Sequence, residues 1–309
     1  MEALAALLST DTLASALRMT IPIALTSLGA VYCERSGLVN IGLEGMMVAG
    51  SFFGALGSFQ HGPLYGLLLG MTAGVLLASI HALATVTFRV DQIVSGVALN
   101  ILAAGVARFC SIMFFSMATT SPHISRLHAF SIPGLRDVPA LQPLVTNVSP
   151  LIPLAFVLVV ASYFILGRTV FGLRLRSVGE NPHAADSLGI SVPAFRWSGA
   201  LISGLLAGLA GAYLSIEQTG MYVEGMTQGK GFIALAAMIF GNWTPFGALG
   251  ASALFGFAES LSFRVVAQNI PYQFIKMIPY LLTLLVLVGA VGKAQAPAAD
   301  GVPYDRGGQ

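Results

Sequence analysis

The sequence predicts an all-α polytopic membrane protein of about 8–10 transmembrane helices, and three observations agree on it. Of 309 residues, 56 % are hydrophobic and only 9 % are charged, whereas a soluble globular chain carries about 25 % charged residues. Mean hydropathy is +0.82. Apolar stretches of about 20 residues, the length a bilayer core demands, recur along the chain. A soluble fold of this size would need a charged exterior that this composition cannot supply. The net charge of +2 and the lack of any Lys/Arg run speak against nucleic acid as a partner.

Taken in order, Met1 to Leu13 has no basic region of the kind a signal peptide needs and carries Glu2 and Asp11, so it reads as a retained, interfacial segment. Apolar spans follow at 12–32, 42–60, 64–86, 92–117, 149–167, 195–217, 231–262 and 274–291. The stretch 231–262 is too long for one crossing and is interrupted by "GNWTPFG", where Pro245 removes a backbone donor, so it reads as two shorter helices or a re-entrant pair. Together these form one membrane domain over 1–309, with a bundle at 14–291, a polar loop at 168–195 and a flexible tail at 292–309. That loop holds Arg168, Arg174 and Arg176, with Arg196 just beyond it, which places it in the cytoplasm by the positive-inside rule and the N-terminus outside. Cys33 and Cys110 lie in or beside apolar segments, so no disulfide is required.

Two interruptions concentrate the polar residues. "YCERSGLVNIGLEGMM", 32–47, sets Glu34, Arg35, Asn40 and Glu44 among glycines; it reads either as a cytoplasmic turn or, for Asn40 and Glu44, as backbone and side chains lining a pathway. The second, 217–231, brings Glu217, Gln218 and Glu224, as a pathway mouth or a solvated loop. Its "GMTQGKG" mimics a phosphate loop but fails on spacing and lacks the Ser or Thr after Lys230. "FGALG" recurs at 53–57 and 246–250, and an odd number of spans separates the two interruptions, so a repeat would be inverted in the membrane, with a substrate route at its interface. On span 92–117, Gln92, Asn100 and Arg108 must face the bundle interior, as pathway or as packing groups.

In the basic loop, Asn181 suits a helix N-cap, Pro182 the first turn and Gly189 the C-terminal cap, which predicts a two-turn helix over 182–188. So short a helix needs something to pack on: its own bundle, the lipid surface or a cytoplasmic partner. The five histidines show no metal-site spacing and no nucleophile–base set can be assembled, so neither a catalytic residue nor a metal ligand is expected.

At this point "ERSGLVNIGLEGMM", "VDQIVSGVALN", "GLRLRSVGENPHAADSLGI" and "GFIALAAMIFGNWTPFGALGAS" carry a resemblance. The chain resembles the permease subunits of bacterial ABC importers for nucleosides and simple sugars, in the branch served by basic-membrane-protein-type lipoproteins. The resemblance implies a cytoplasmic-membrane permease with no cofactor of its own, MgATP being bound by a partner ATPase. It also implies a second permease subunit, expected as a heterodimer, and an extracytoplasmic substrate-binding lipoprotein. Gly179, Glu180, Asn181, Pro182, Ala184 and Ala185 would form the helix that docks on the ATPase. "GLVNIGLEG", in place of the sugar branch's "GIDLSVG"-like sequence, implies purine nucleosides such as guanosine rather than ribose. The rival is an ion-coupled secondary transporter using Glu44, Glu224 or Glu259.

Overall fold

The computed structural model describes residues 9–131, 142–264 and 295–305, together with Met277 and Leu281. Apart from those two residues, the expected span 274–291 lies outside the described residues. Eleven α-helices are described: α1 Thr10–Glu34, α2 Leu43–His61, α3 Pro63–Ala82, α4 Gln92–Phe115, α5 Gln142–Val145, α6 Leu151–Arg168, α7 Val170–Glu180, α8 Pro182–Ser187, α9 Val192–Tyr213, α10 Lys230–Phe240 and α11 Pro245–Arg264. Wider i→i+5 turns continue α3 to Thr87 and α9 to Thr219. Among the described residues, isolated bridges join Thr120 to Val223 and Phe130 to Val148, and no sheet forms.

Among the described residues, five helices are long and apolar enough to cross a membrane: α1, extended α3, α4, α6 and extended α9. They fall close to the expected spans. The interior is built from α1, α2 and α9, whereas α4 presents Ile93, Val97, Ile101 and Phe109 outward, the side a lipid-facing helix must keep apolar. Because α2 is wrapped by α3, α4 and α9, it can carry a carboxylate and a run of glycines that a lipid-exposed helix could not.

Small residues set the interior spacing. A Cβ on Gly50 would overlap the Gly208 carbonyl, and one on Gly74 would overlap the Gly204 carbonyl. Backbone therefore touches backbone where α2 and α3 cross α9, which is the way membrane helices gain dispersion energy without a hydrophobic drive.

The expected inverted relation is visible in the packing, although its carrier differs from the pentapeptide. α1 runs toward an end rich in arginine (Arg35, Arg89, Arg176, Arg196), and α9 runs away from it. Each is followed by an irregular segment and then a helix that starts within the bundle: α2 after residues 35–42, α10 after 220–229. The contacts are reciprocal: α1 packs on α10 and α11 as α9 packs on α2 and α3. The "FGALG" copies fall on α2 and α11, which are not equivalent in this relation, so that match is coincidental.

The tail differs from expectation. Residues 295–305 are docked at the arginine-rich end: the Ala299 N–H donates to the Gly179 carbonyl at 2.9 Å, Arg196 donates to the Val302 carbonyl at 2.9 Å, and Arg89 pairs with Asp305 at 2.9 Å. Sequence reading missed this because Pro and Gly in "APAADGVPY" read as linker, while their partners, the Gly179 carbonyl and the Arg89 and Arg196 side chains, lie on elements distant in sequence.

Candidate functional site

A non-helical segment inside a bundle must find partners for its backbone, and the polar residues of the first interruption supply them. Asn40 Oδ1 accepts the Gly42 N–H at 3.1 Å while its Nδ2 donates to Ser203 Oγ at 3.1 Å. Gln92 accepts the Val39 N–H at 2.7 Å, and His81 Nε2 lies 3.0 Å from the Val39 carbonyl. Asn100 accepts the Gly45 N–H at 2.7 Å and donates to the Ile41 carbonyl at 3.1 Å. Eight residues of α4 separate Gln92 from Asn100, so the segment climbs about 12 Å into the bundle before α2 begins.

There it meets the second interruption. Glu44 Oε1 accepts the Thr227 hydroxyl at 2.6 Å and the Gly229 N–H at 3.0 Å, and Oε2 accepts the Gly231 N–H at 2.7 Å. The first turn of α2 thus caps the N-terminus of α10, where unpaired N–H groups and the helix dipole favour an anion. With 11 residues, α10 is about 16 Å long, half a crossing. At its other end, Trp243 Nε1 donates to Glu34 Oε2 at 2.6 Å and Arg35 donates to the Trp243 carbonyl at 2.9 Å.

At the end opposite Arg35, Arg89, Arg176 and Arg196 a cavity of about 800 Å³ opens, lined by Arg18, Arg126, Asn147, Tyr213, Glu217, Gln218, Lys230 and Glu259 among others. This is the size of a small-molecule site. Glu217 is set by the widened turn after α9 and accepts the Leu127 N–H at 3.0 Å; Gln218 Nε2 lies 3.2 Å from Met19 Sδ; Arg126 donates to the Thr219 carbonyl at 3.1 Å. Of the six expected pathway residues, only Glu217 and Gln218 line this vestibule. Asn40, Glu44, Gln92 and Asn100 hold the backbone of the breaks instead. Lys230 was visible only as a failed phosphate loop, and Arg18 and Arg126 not at all. The usable signal was two opposite charges, Lys230 and Glu259, facing inward from otherwise apolar helices.

At the arginine-rich end, α8 forms as expected. The Asn181 side chain accepts the Ala184 N–H at 3.0 Å, Pro182 opens the helix and Gly189 leaves it with φ +78°. Glu180, Asn181, His183 and Ala184 are exposed, and Leu188 is 80 % exposed. Ala185 and Gly179 face inward: Ala185 packs with Val178 and Val192, and Gly179 lies against Arg35. The six expected docking residues therefore divide into an outward and an inward set.

The comparisons with known proteins fit this architecture. Residues 12–287 match the family described as branched-chain amino acid transport system, permease component. The chain belongs to that permease family. It is 45 % identical over 298 residues to the guanosine ABC transporter permease protein NupQ of Bacillus subtilis, covering 93 % of each chain. It is 41 % identical over 297 residues to the nucleoside ABC transporter permease protein NupC of Lactococcus lactis, covering 92 % of this chain and 93 % of that one. Its fold resembles an inward-facing metal-chelate-type ABC transporter, with TM-score 0.50 and 16 % identity over 90 % of this chain and 85 % of that chain.

Proposed function

We propose that this permease forms one half of the translocation route of an ABC importer for nucleosides, purine nucleosides such as guanosine first among them. The observation that carries the substrate reading is the 45 % identity to a guanosine permease along 93 % of the chain. In this reading the protein is a multi-pass subunit of the bacterial cytoplasmic membrane with its arginine-rich end inside. An extracytoplasmic lipoprotein delivers the nucleoside to the vestibule holding Glu217 and Gln218. A partner ATPase binds MgATP and engages the outward set of the 179–189 segment, and a second permease, different in sequence, completes the route. Asn40, Glu44, Gln92 and Asn100 serve the pathway indirectly, by keeping the breaks of α1–α2 and α9–α10 open as backbone rather than helix.

Of the carboxylates an ion-coupled rival would use, Glu44 has both oxygens engaged by α10 and Thr227, which argues against Glu44 as its ion site. The test is uptake of labelled guanosine, adenosine, uridine and ribose by cells carrying the whole transporter, with the ATPase active or inactivated. The proposal expects nucleoside uptake that stops with the ATPase and survives an ionophore when ATP is maintained. Ribose-only uptake would overturn the substrate, and loss with the ionophore would overturn the energy source.

A further inference from the structure

Lys230 and Glu259 both line the vestibule. Lys230 Nζ donates to Glu259 Oε1 at 2.7 Å, and the two side chains are 6 % and 15 % exposed. Withdrawing two charges from water is costly, and the cost is recovered only when the remaining lone pairs and protons are also satisfied. Here they are not: among the described residues, Glu259 Oε2 is buried with no hydrogen-bond partner. Tying α10 to α11 accounts for Oε1 and leaves Oε2 unexplained. Both residues line the 800 Å³ cavity, but Oε2 itself is shielded from it, so a base reaches this spare acceptor, beside an ammonium with further donors, only when the Glu259 side chain turns its carboxylate toward the cavity.

We propose that the Lys230–Glu259 pair reads the base of the nucleoside, selecting 6-oxopurines by their hydrogen-bonding edge. This rests on the nucleoside reading above. Guanine presents the O6 acceptor, N1–H and the exocyclic N2–H2 in a row; a carboxylate takes the two adjacent donors while the ammonium donates to O6. Hypoxanthine keeps O6 and N1–H and lacks the amine. Adenine offers one donor beside one acceptor and cannot satisfy both carboxylate oxygens. Substrate binding also completes the unsatisfied Oε2, so the correct base removes a penalty that the empty site carries. Glu217 and Gln218, which line the same cavity, would supply partners for ribose hydroxyls common to all nucleosides.

The test uses the assembled transporter, with sister permease, ATPase and lipoprotein, in proteoliposomes at saturating guanosine, inosine or adenosine. Glu259→Gln puts an NH2 group where an acceptor is required and should lower guanosine uptake about tenfold or more. Inosine should fall less and adenosine least, so the guanosine-to-adenosine ratio drops. Because Glu259→Gln leaves Lys230 unpaired, the double variant Lys230→Met/Glu259→Met removes both charges together and should show the same drop in ratio with normal assembly. An equal fall for all three nucleosides, or an unchanged ratio in the assembled double variant, would overturn base reading and return the pair to a structural tie. A wild type that carries none of the three would instead defeat the nucleoside reading itself.

Discussion

Glu44→Ala is the perturbation whose consequence can be worked most fully. The carboxylate accepts three hydrogen bonds, from the Thr227 hydroxyl and the Gly229 and Gly231 N–H groups. Each bond to a charged acceptor is worth about 1.5–3 kcal/mol, and the helix terminus adds about 0.3–1 kcal/mol. The site is half-buried, so water can enter the space that alanine leaves and recover part of that sum. The expected net loss is about 2–4 kcal/mol for alanine. Glu44→Gln keeps one acceptor oxygen and turns an NH2 group toward an N–H, so about 1–2 kcal/mol is expected. The assay is thermal unfolding of the purified transporter, with hydrogen exchange at the amides of 229–231 as the local readout. Alanine should melt lowest, glutamine between, and both should lose protection at 229–231. Unchanged melting and unchanged protection in Glu44→Ala would refute the capping argument and free Glu44 for a role in the pathway.

Other consequences follow from the same packing. Ala184→Asp changes an exposed position and should abolish transport-linked ATPase activity while the protein inserts and melts normally; Ala185→Asp buries a charge among Val178 and Val192 and should destabilise the loop itself, seen as proteolysis at 179–190. Gly74→Val places side-chain atoms on the Gly204 carbonyl and should prevent stable assembly, whereas Gly62→Ala, with open space at its Cβ and only its positive φ of +91° to strain it, should be tolerated better; expression and gel filtration separate the two. Burial pushes the Asp300 carboxyl up to about 6, against the opposing effects of its hydrogen bond to Glu34 and of Arg196. A raised carboxyl pKa stabilises the docked tail below the unfolded value near 4 and loses that contribution as pH rises through about 6. Protection of the amides of 295–305, taken relative to the intrinsic base-catalysed exchange rate at each pH, should therefore be greater at pH 5 than at pH 8, and Asp300→Asn should flatten the difference; equal pH dependence of protection in both proteins would contradict the assignment.

How much of this was legible beforehand can be argued from particular residues. Five of the spans were, at 12–32, 64–86, 92–117, 149–167 and 195–217, because a bilayer permits only long apolar helices and the hydrophobic runs mark them directly. The split at "GNWTPFG" was also, since Pro245 cannot continue a helix, as were the caps Asn181 and Gly189. The polar residues of 32–47 were correctly singled out, but their task was hidden. Asn40, Gln92 and Asn100 satisfy backbone groups whose positions depend on helices far away in sequence, and nothing local distinguishes that from lining a channel. Glu44 is the sharpest case, since its partners are backbone N–H groups 185 and 187 residues away. The docked tail escaped for the same reason. Lys230 and Glu259 lie 29 residues apart on two helices, and only the fold brings them within 2.7 Å.

The central claim, that this chain is the route through which ATP hydrolysis elsewhere moves nucleosides inward, is tested most directly by reconstitution. The permease, its sister subunit, the ATPase and the lipoprotein would be placed in liposomes, and labelled guanosine uptake measured with MgATP supplied to the ATPase. Accumulation that requires hydrolysis and disappears with an inactive ATPase is the predicted result. Guanosine uptake driven by an imposed proton or sodium gradient with no ATP present would contradict it.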